Sequence, residues 1–428
     1  MRRLQGPHAG LKWAAGATGF GNLSPRPKGG NVALLKTSAR KTLAQRILAN
    51  IALAALTLGL GLLGALAPAA AGEIRIGSVV SATGPAAFLG DPEDKTLRLY
   101  VEELNKAGGI NGNTIKLIIY DDGGDADKAR TFATRLVEED KVVAMLGGTT
   151  SGTTFAMIPV FEDAEVPFIS FAGAVGIIEP TKKWVFKTPH TDRMACEKIF
   201  EDLKKQNLTK VGMISGTDGF GKSMREQCVK VNQKYGIKIV AEETYGPRDS
   251  DMTAQLTNLK GAPGIQALVN PGMGQGPAIV TRNVRQLGIT LPLYQSHGVA
   301  SKSFIELAGE AAEGVRLPAA AILVADKLPD SDPQKKVALG YKTSFESATN
   351  GQVSTFGGHA FDALSILKGA VERANSTEPA KIRDEIEKTT GFIGTAGIFN
   401  MTPSDHMGLD LSAFKMLQVK GGDWTLAE

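Results

Sequence analysis

The chain has 428 residues, with 48 Lys and Arg against 44 Asp and Glu, a formal charge of +4. The basic excess lies at one end: residues 1–72 hold nine Lys or Arg and no acid, so the rest carries 48 − 9 = 39 basic against 44 acidic residues, or −5. That excludes a basic footprint for nucleic acid, and two cysteines, Cys196 and Cys228, exclude a disulfide scaffold.

The first predicted element is a leader. Ile47–Ala67 is a stretch of 21 uncharged residues, preceded by Lys36, Arg40, Lys41 and Arg46 and followed by Pro68-Ala69-Ala70-Ala71-Gly72. A basic region, an apolar core and small residues spaced A-x-A read as a secretory signal peptide. The rival is a membrane anchor, because about 20 apolar residues span a bilayer. The many small residues and the Ala-rich exit favour cleavage. The working chain is expected to begin near Glu73, leaving 428 − 72 = 356 residues, enough for two lobes. Residues 1–35 are Gly-rich and patternless and enter no fold argument.

From Glu73 onward, short apolar runs alternate with amphipathic ones. Strands are expected at Glu73–Val80, Ile115–Tyr120, Val142–Leu146 and Phe168–Phe171, with helices at Glu93–Ala107, Lys128–Glu139 and Thr153–Asp163 between them. After a connection at Trp184–His190, a second run begins. Its expected strands are Val211–Ile214, Lys238–Ala241, Ala267–Asn270 and Leu291–Gln295. Its helices are Met194–Gln206, Lys222–Tyr235, Met252–Leu259 and Ala278–Leu287. Later helices are expected at Gln334–Ala348 and Phe356–Ala374. Such alternation predicts an α/β protein of two doubly wound parallel-sheet lobes, each with four or five strands. A closed eight-fold barrel is the weaker alternative.

Several motifs invite chemistry. Gly216-Thr217-Asp218-Gly219-Phe220-Gly221-Lys222-Ser223 matches G-x-x-x-x-G-K-[ST], where backbone N–H groups, Lys222 and Ser223 would hold nucleotide and magnesium. An exported protein meets almost no ATP, and the strand ending at Asn270 lacks the magnesium-binding aspartate, so a tight strand-to-helix turn is the plainer reading. Asp121, Asp122, Asp125 and Asp127 lack calcium-loop spacing and read as a loop capping the next helix. His8, His190, His297, His359 and His406 fall at no zinc spacing, and no serine sits in G-x-S-x-G. No metal, no cofactor and no enzyme activity are therefore expected.

Leu146–Thr153 joins a strand to a helix through small and hydroxyl residues. Its free N–H groups favour an anion such as a carboxylate, unless Ser151 or Thr153 simply caps the helix. Cys196 and Cys228 lie on apolar helical stripes and read either as buried thiols or as a disulfide.

Taken together, several segments resemble the leucine/isoleucine/valine-binding family, the type I periplasmic substrate-binding proteins of ABC transporters. These are GEIRIGSVVSATGPAAFLGD, NKAGGINGNTIKLIIYDD, LGGTTSGTT, VFEDAEVPFISFAG, SGTDGFGKS, RQLGITLPLYQSHGVAS, AGEAAEGV, FGGHAFDAL and GTAGIFN. The resemblance spans residues 73–428. It implies a periplasmic monomer whose two lobes are joined by crossovers near Pro189–Asp192, Leu317–Ala321 and Asn400. The lobes would be 73–191 with 320–400, and 192–319 with 401–428, closing on a small ligand for permease subunits in the inner membrane. By resemblance, Ser151 and Thr153 with neighbouring N–H groups, the carbonyl of Ala172 and the N–H of Ala174 would hold the ligand carboxylate. Phe220, Met273 and His297 would face them from the other lobe, with Leu89 and Phe356 near the ligand side chain.

The chain departs from that pattern where a threonine, a tyrosine and a glutamate give way to Ala174, Met273 and His297. The missing glutamate would answer a ligand ammonium. A carboxylate ligand without the α-ammonium, aromatic or aliphatic, is therefore expected alongside the amino-acid alternative. An exported sensor that presents ligand to a receptor is the other functional class these features allow.

Overall fold

A computed structural model describes residues 72–427; the expected leader, apart from Gly72, lies outside them. β1 (Glu73–Val80) carries Ile74, Ile76, Val79 and Val80 into the core and pairs in parallel with β2 (Thr114–Asp121). α1 (Ala87–Lys106) connects them, beginning earlier than the expected Glu93 even though Pro92 lies inside it. The cause is tertiary: a Cβ on Gly90 would stand 2.2 Å from the Ser81 carbonyl, so the first turn packs tightly on the end of β1. That packing outweighs the donor that proline removes.

α2 (Ala126–Glu138), β3 (Ala144–Gly147), α3 (Ser151–Asp163), β4 (Phe168–Ser170) and β5 (Val185–Lys187) complete the first run. The sheet order is β2-β1-β3-β4-β5, all parallel. β5 lies inside what the sequence presented as a connection, since three residues are too few to show a period.

The second run is α4 (Asp192–Lys205), β6 (Lys210–Gly216), α5 (Gly219–Val231), β7 (Lys238–Tyr245), α6 (Thr253–Lys260), β8 (Ala267–Asn270), α7 (Gly276–Gln286), β9 (Leu293–Gln295), α8 (Lys302–Ala308) and β10 (Arg316–Ala319). Its sheet runs β7-β6-β8-β9-β10, the same order as the first, so there are two doubly wound lobes, as the alternation predicts. The strand count differs. A hairpin of β13 (Lys415–Lys420) and β14 (Asp423–Leu426) adds to β10 antiparallel and makes seven strands. Such edge strands alternate weakly and carry charge, so they show no clear period in the sequence.

Between the second run and that hairpin come α9 (Gln334–Thr349), α10 (Thr355–Ala374), α11 (Pro379–Glu387) and the short pair β11 (Phe392–Ile393) and β12 (Ile398–Phe399). α10 packs on α1, against the first sheet. The chain thus passes between the sheets three times: between Lys187 and Asp192, between Ala319 and Gln334, and between Phe399 and Lys415. Thr188 donates to the His359 carbonyl at 2.9 Å, tying the first crossing to α10.

Cys196 and Cys228 form a disulfide with Cα atoms 5.1 Å apart, which settles the open alternative. It links α4 to α5. Among the described residues no helix is long and apolar enough to cross a membrane.

Candidate functional site

In an open parallel sheet of order 2-1-3-4-5, ligands bind beyond the carboxyl ends of the strands where the order reverses. Here that point lies after β1 and β3 in one sheet and after β6 and β8 in the other. The two points face each other: a Cβ on Gly219, in the second lobe, would stand 3.1 Å from the Gly152 nitrogen in the first.

On the first wall, the loop after β3 turns through Gly147 (φ 151°) and Gly148 (φ 70°) into α3. The cap is Thr150, and not Ser151 or Thr153 as the sequence suggested. The Thr150 hydroxyl accepts from the Thr153 N–H at 3.1 Å, and the Thr150 N–H donates back to the Thr153 hydroxyl at 3.3 Å. Ser151 turns its hydroxyl inward and accepts from the Ala174 N–H at 3.2 Å.

On the second wall, Asp218 caps α5, its carboxylate accepting from Phe220 N–H at 2.9 Å and Gly221 N–H at 3.1 Å. A phosphate would need those same N–H groups, and it would meet a negative charge there. Ser223 donates to Asp192 instead of facing a magnesium position. The nucleotide-loop match is a helix turn. Asp125 likewise caps α2, accepting from Asp127 and Lys128 N–H at 2.9 Å each, and among the described residues no acid–histidine–cysteine cluster could hold a metal.

Between the walls lies a cavity of about 30 Å³ lined by Leu89, Thr149, Phe171, Gly173, Pro189, Phe220, Met273, His297, Gly298, Phe356 and His359. Five residues expected from the sequence meet there: Leu89, Phe220, Met273, His297 and Phe356. Phe356 packs edge-on to Phe88, with ring centres 5.7 Å apart, and Phe220 edge-on to His297 at 5.3 Å. His297 reaches so far across that a Cβ on Gly173 would stand 2.8 Å from its Nε2.

Ser151, Thr153, Ala172 and Ala174 are buried beside the cavity without lining it. The sequence missed Thr149, Phe171, Gly173, Pro189, Gly298 and His359. His359 had a signal, for it follows Phe356 by three residues on one helix face.

The electrostatics are set by burial. Lys187, wholly buried, donates to the carbonyls of Gly173 at 2.9 Å and His190 at 3.3 Å. Burial pushes its amine down to about 7, with the Asp192 charge opposing. Burial, then the Lys187 charge, pushes His297 down to about 3. His359 also falls to about 3, from burial and then its neighbours His297 and Lys187. Both rings are therefore neutral at physiological pH. Behind Thr149, Glu93 accepts the threonine hydroxyl at 2.5 Å, and burial raises its pKa well above the usual carboxylate range.

Residues 73–423 match the profile of the periplasmic binding protein family. The leucine-, isoleucine-, valine-, threonine- and alanine-binding protein of Pseudomonas aeruginosa is 26% identical over 364 residues, covering 84% of this chain and 90% of that one. An extracellular ligand-binding receptor from Rhodopseudomonas palustris HaA2 superposes with a TM-score of 0.78 and 32% identity, over 83% of this chain and all (100%) of that one. The branched-chain amino acid transporter substrate-binding protein LivJ of Streptococcus pneumoniae, in complex with isoleucine, gives 0.74 at 25% identity, over 83% and 99%.

Proposed function

The chain belongs to the periplasmic binding protein family, and on that premise we propose that it captures a small apolar carboxylate for an ABC importer, without covalent chemistry. The lobes in this reading are 73–191 with 320–400, and 192–319 with 401–428, and the three crossings act as the hinge. The cavity holds about two water molecules by volume, so the lobes must part to admit ligand and close again over it. The working location is the periplasm, reached through the leader, and the partners are membrane permease subunits that a monomer docks on.

One observation carries the choice of ligand. Among the described residues lining the cavity there is no aspartate or glutamate, whereas two neutral imidazoles and the apolar side chains of Leu89, Phe171, Phe220, Met273 and Phe356 are present. The Pseudomonas relative is named for α-amino acids, whose ammonium needs a counter-charge when buried. Without one, the cost is about several kcal/mol. A carboxylate with an aromatic or aliphatic body meets donors and apolar surface instead. Ser151, Thr153, Ala172 and Ala174 complete the site in this reading, once the Ser151 hydroxyl releases the Ala174 N–H. Equilibrium titration of the purified protein with leucine and with benzoate, phenylacetate and hexanoate is the test. Tight leucine binding with no response to the other three would sink the reading.

A further inference from the structure

His297 and His359 are both more than nine-tenths buried, and both line the cavity. Neither ring nitrogen of His297 has a hydrogen-bond partner, nor has Nδ1 of His359. Buried polar atoms are nearly always partnered. Unpartnered nitrogens from opposite walls of one small cavity therefore mark where a ligand's polar end belongs. Resting on the carboxylate reading above, we propose that the ligand's carboxylate is seated between His297 and His359, and that its capture draws a proton from solvent onto the basic cluster these rings form with Lys187.

The rings come from different lobes, His297 following β9 and His359 standing on α10, so a carboxylate between them bridges the walls. A neutral imidazole brings one N–H donor, enough for one bond to each oxygen. The groups facing the pair are few. Lys187 on β5 acts on both with positive charge. The backbone of His190 in the first crossing approaches the His297 ring and favours its charged form, while burial and the two neighbouring rings push the His190 ring down. His190 stacks on Phe414 at 3.8 Å, and Phe414 in turn packs edge-on to His297 at 5.4 Å. Asp192 on α4 and Glu179 face Lys187 and not the cavity. The Asp192 carboxylate is already held by the N–H groups of Val175 and Arg193 and by Ser223. Glu93 on α1 stands behind Thr149.

The cluster thus has no acid of its own at the cavity. A ligand carboxylate would be the opposite charge that favours protonation of the rings and of Lys187. Linkage then requires the reverse, that protons favour the ligand. No bond breaks; the proton moves from bulk buffer to nitrogen as the ligand enters.

Calorimetry of benzoate binding to the purified protein, in two buffers of different ionisation heat, reads the proton directly. We expect uptake approaching one proton per benzoate near pH 8, where Lys187 is largely neutral, and an affinity that rises up to about tenfold per pH unit from about pH 8 toward pH 7 and levels below it. His359→Gln should weaken benzoate by about tenfold or more and lower the proton count, whereas a merely structural role for the ring would weaken binding without changing the proton count. Benzoate, phenylacetate or hexanoate binding with a flat pH profile and no proton uptake overturns the seat while sparing the carboxylate reading. If none of the three binds at any pH, both fall. The measurement on the unsubstituted protein decides the matter even if the variant fails to fold.

Discussion

The two walls of the cleft carry the same device with different fittings. Each has a glycine-rich loop running from a strand into a helix, Gly147–Thr153 on the first wall and Gly216–Ser223 on the facing one. The Gly216–Ser223 loop matches the phosphate-loop spacing, yet its helix end is filled by the carboxylate of Asp218. The Gly147–Thr153 loop is capped by the uncharged hydroxyl of Thr150. What decides whether a helix N-terminus is open to an anion is the charge of its cap; glycine spacing only shapes the turn. Each wall also contributes one buried imidazole, His359 to the first and His297 to the other.

The largest difference between the walls should be mechanical. Only α5, on the wall opposite α3, is tethered by a disulfide, closing a loop with a sequence separation of 32. Reduction, or Cys196→Ser with Cys228→Ser, should lower stability by about 3–4 kcal/mol, read by thermal or urea unfolding with and without reductant. An unchanged midpoint would remove that distinction.

The imidazoles make the next largest effect, through acid. Both rings are held near 3 in the fold, against about 6.5 unfolded. The unfolded chain therefore binds protons that the fold refuses, and stability falls as pH drops from about 6.5 toward 3. Each site contributes about 1.4 kcal/mol per pH unit across that window. His359→Gln should make the acid limb of urea stability shallower by about one proton; an unaltered slope would show that the first wall's ring does not titrate this way.

The caps come third. Thr150→Ala and Asp218→Ala should each cost about 1 kcal/mol of unfolding free energy. The intact protein should show no ATP binding by calorimetry, because the Asp218 carboxylate already holds the donors; measurable ATP affinity would break the comparison outright. The smallest effect is expected from Thr153→Ala, which keeps the Thr150 cap but loses the reciprocal bond, at about 0.5 kcal/mol.

How much of this was legible in the sequence follows from what each feature depends on. The alternating lobes were, because β1, β6 and β8 bury most of their short, largely apolar runs and their helices carry one-sided stripes. The antiparallel hairpin at Lys415–Leu426 was not, because its residues are mixed and its partner, Arg316–Ala319, lies about a hundred residues earlier. Leu89, Phe220, Met273, His297 and Phe356 were foreseen from the family resemblance, and the structure gathers them on one cavity. His359 was foreseen by neither spacing nor resemblance, although Phe356 sits one turn before it. Thr149 and Gly173 owe their places to loop geometry, which no period announces. The identity of the α3 cap also depended on three-dimensional reach, since Thr150, Ser151 and Thr153 are chemically equivalent candidates.

The choice of ligand is tested most directly by mass spectrometry of the small molecule that co-purifies with the protein. The expected result is an organic carboxylate with an apolar body and no α-amino group. Recovery of leucine, isoleucine or valine would contradict it.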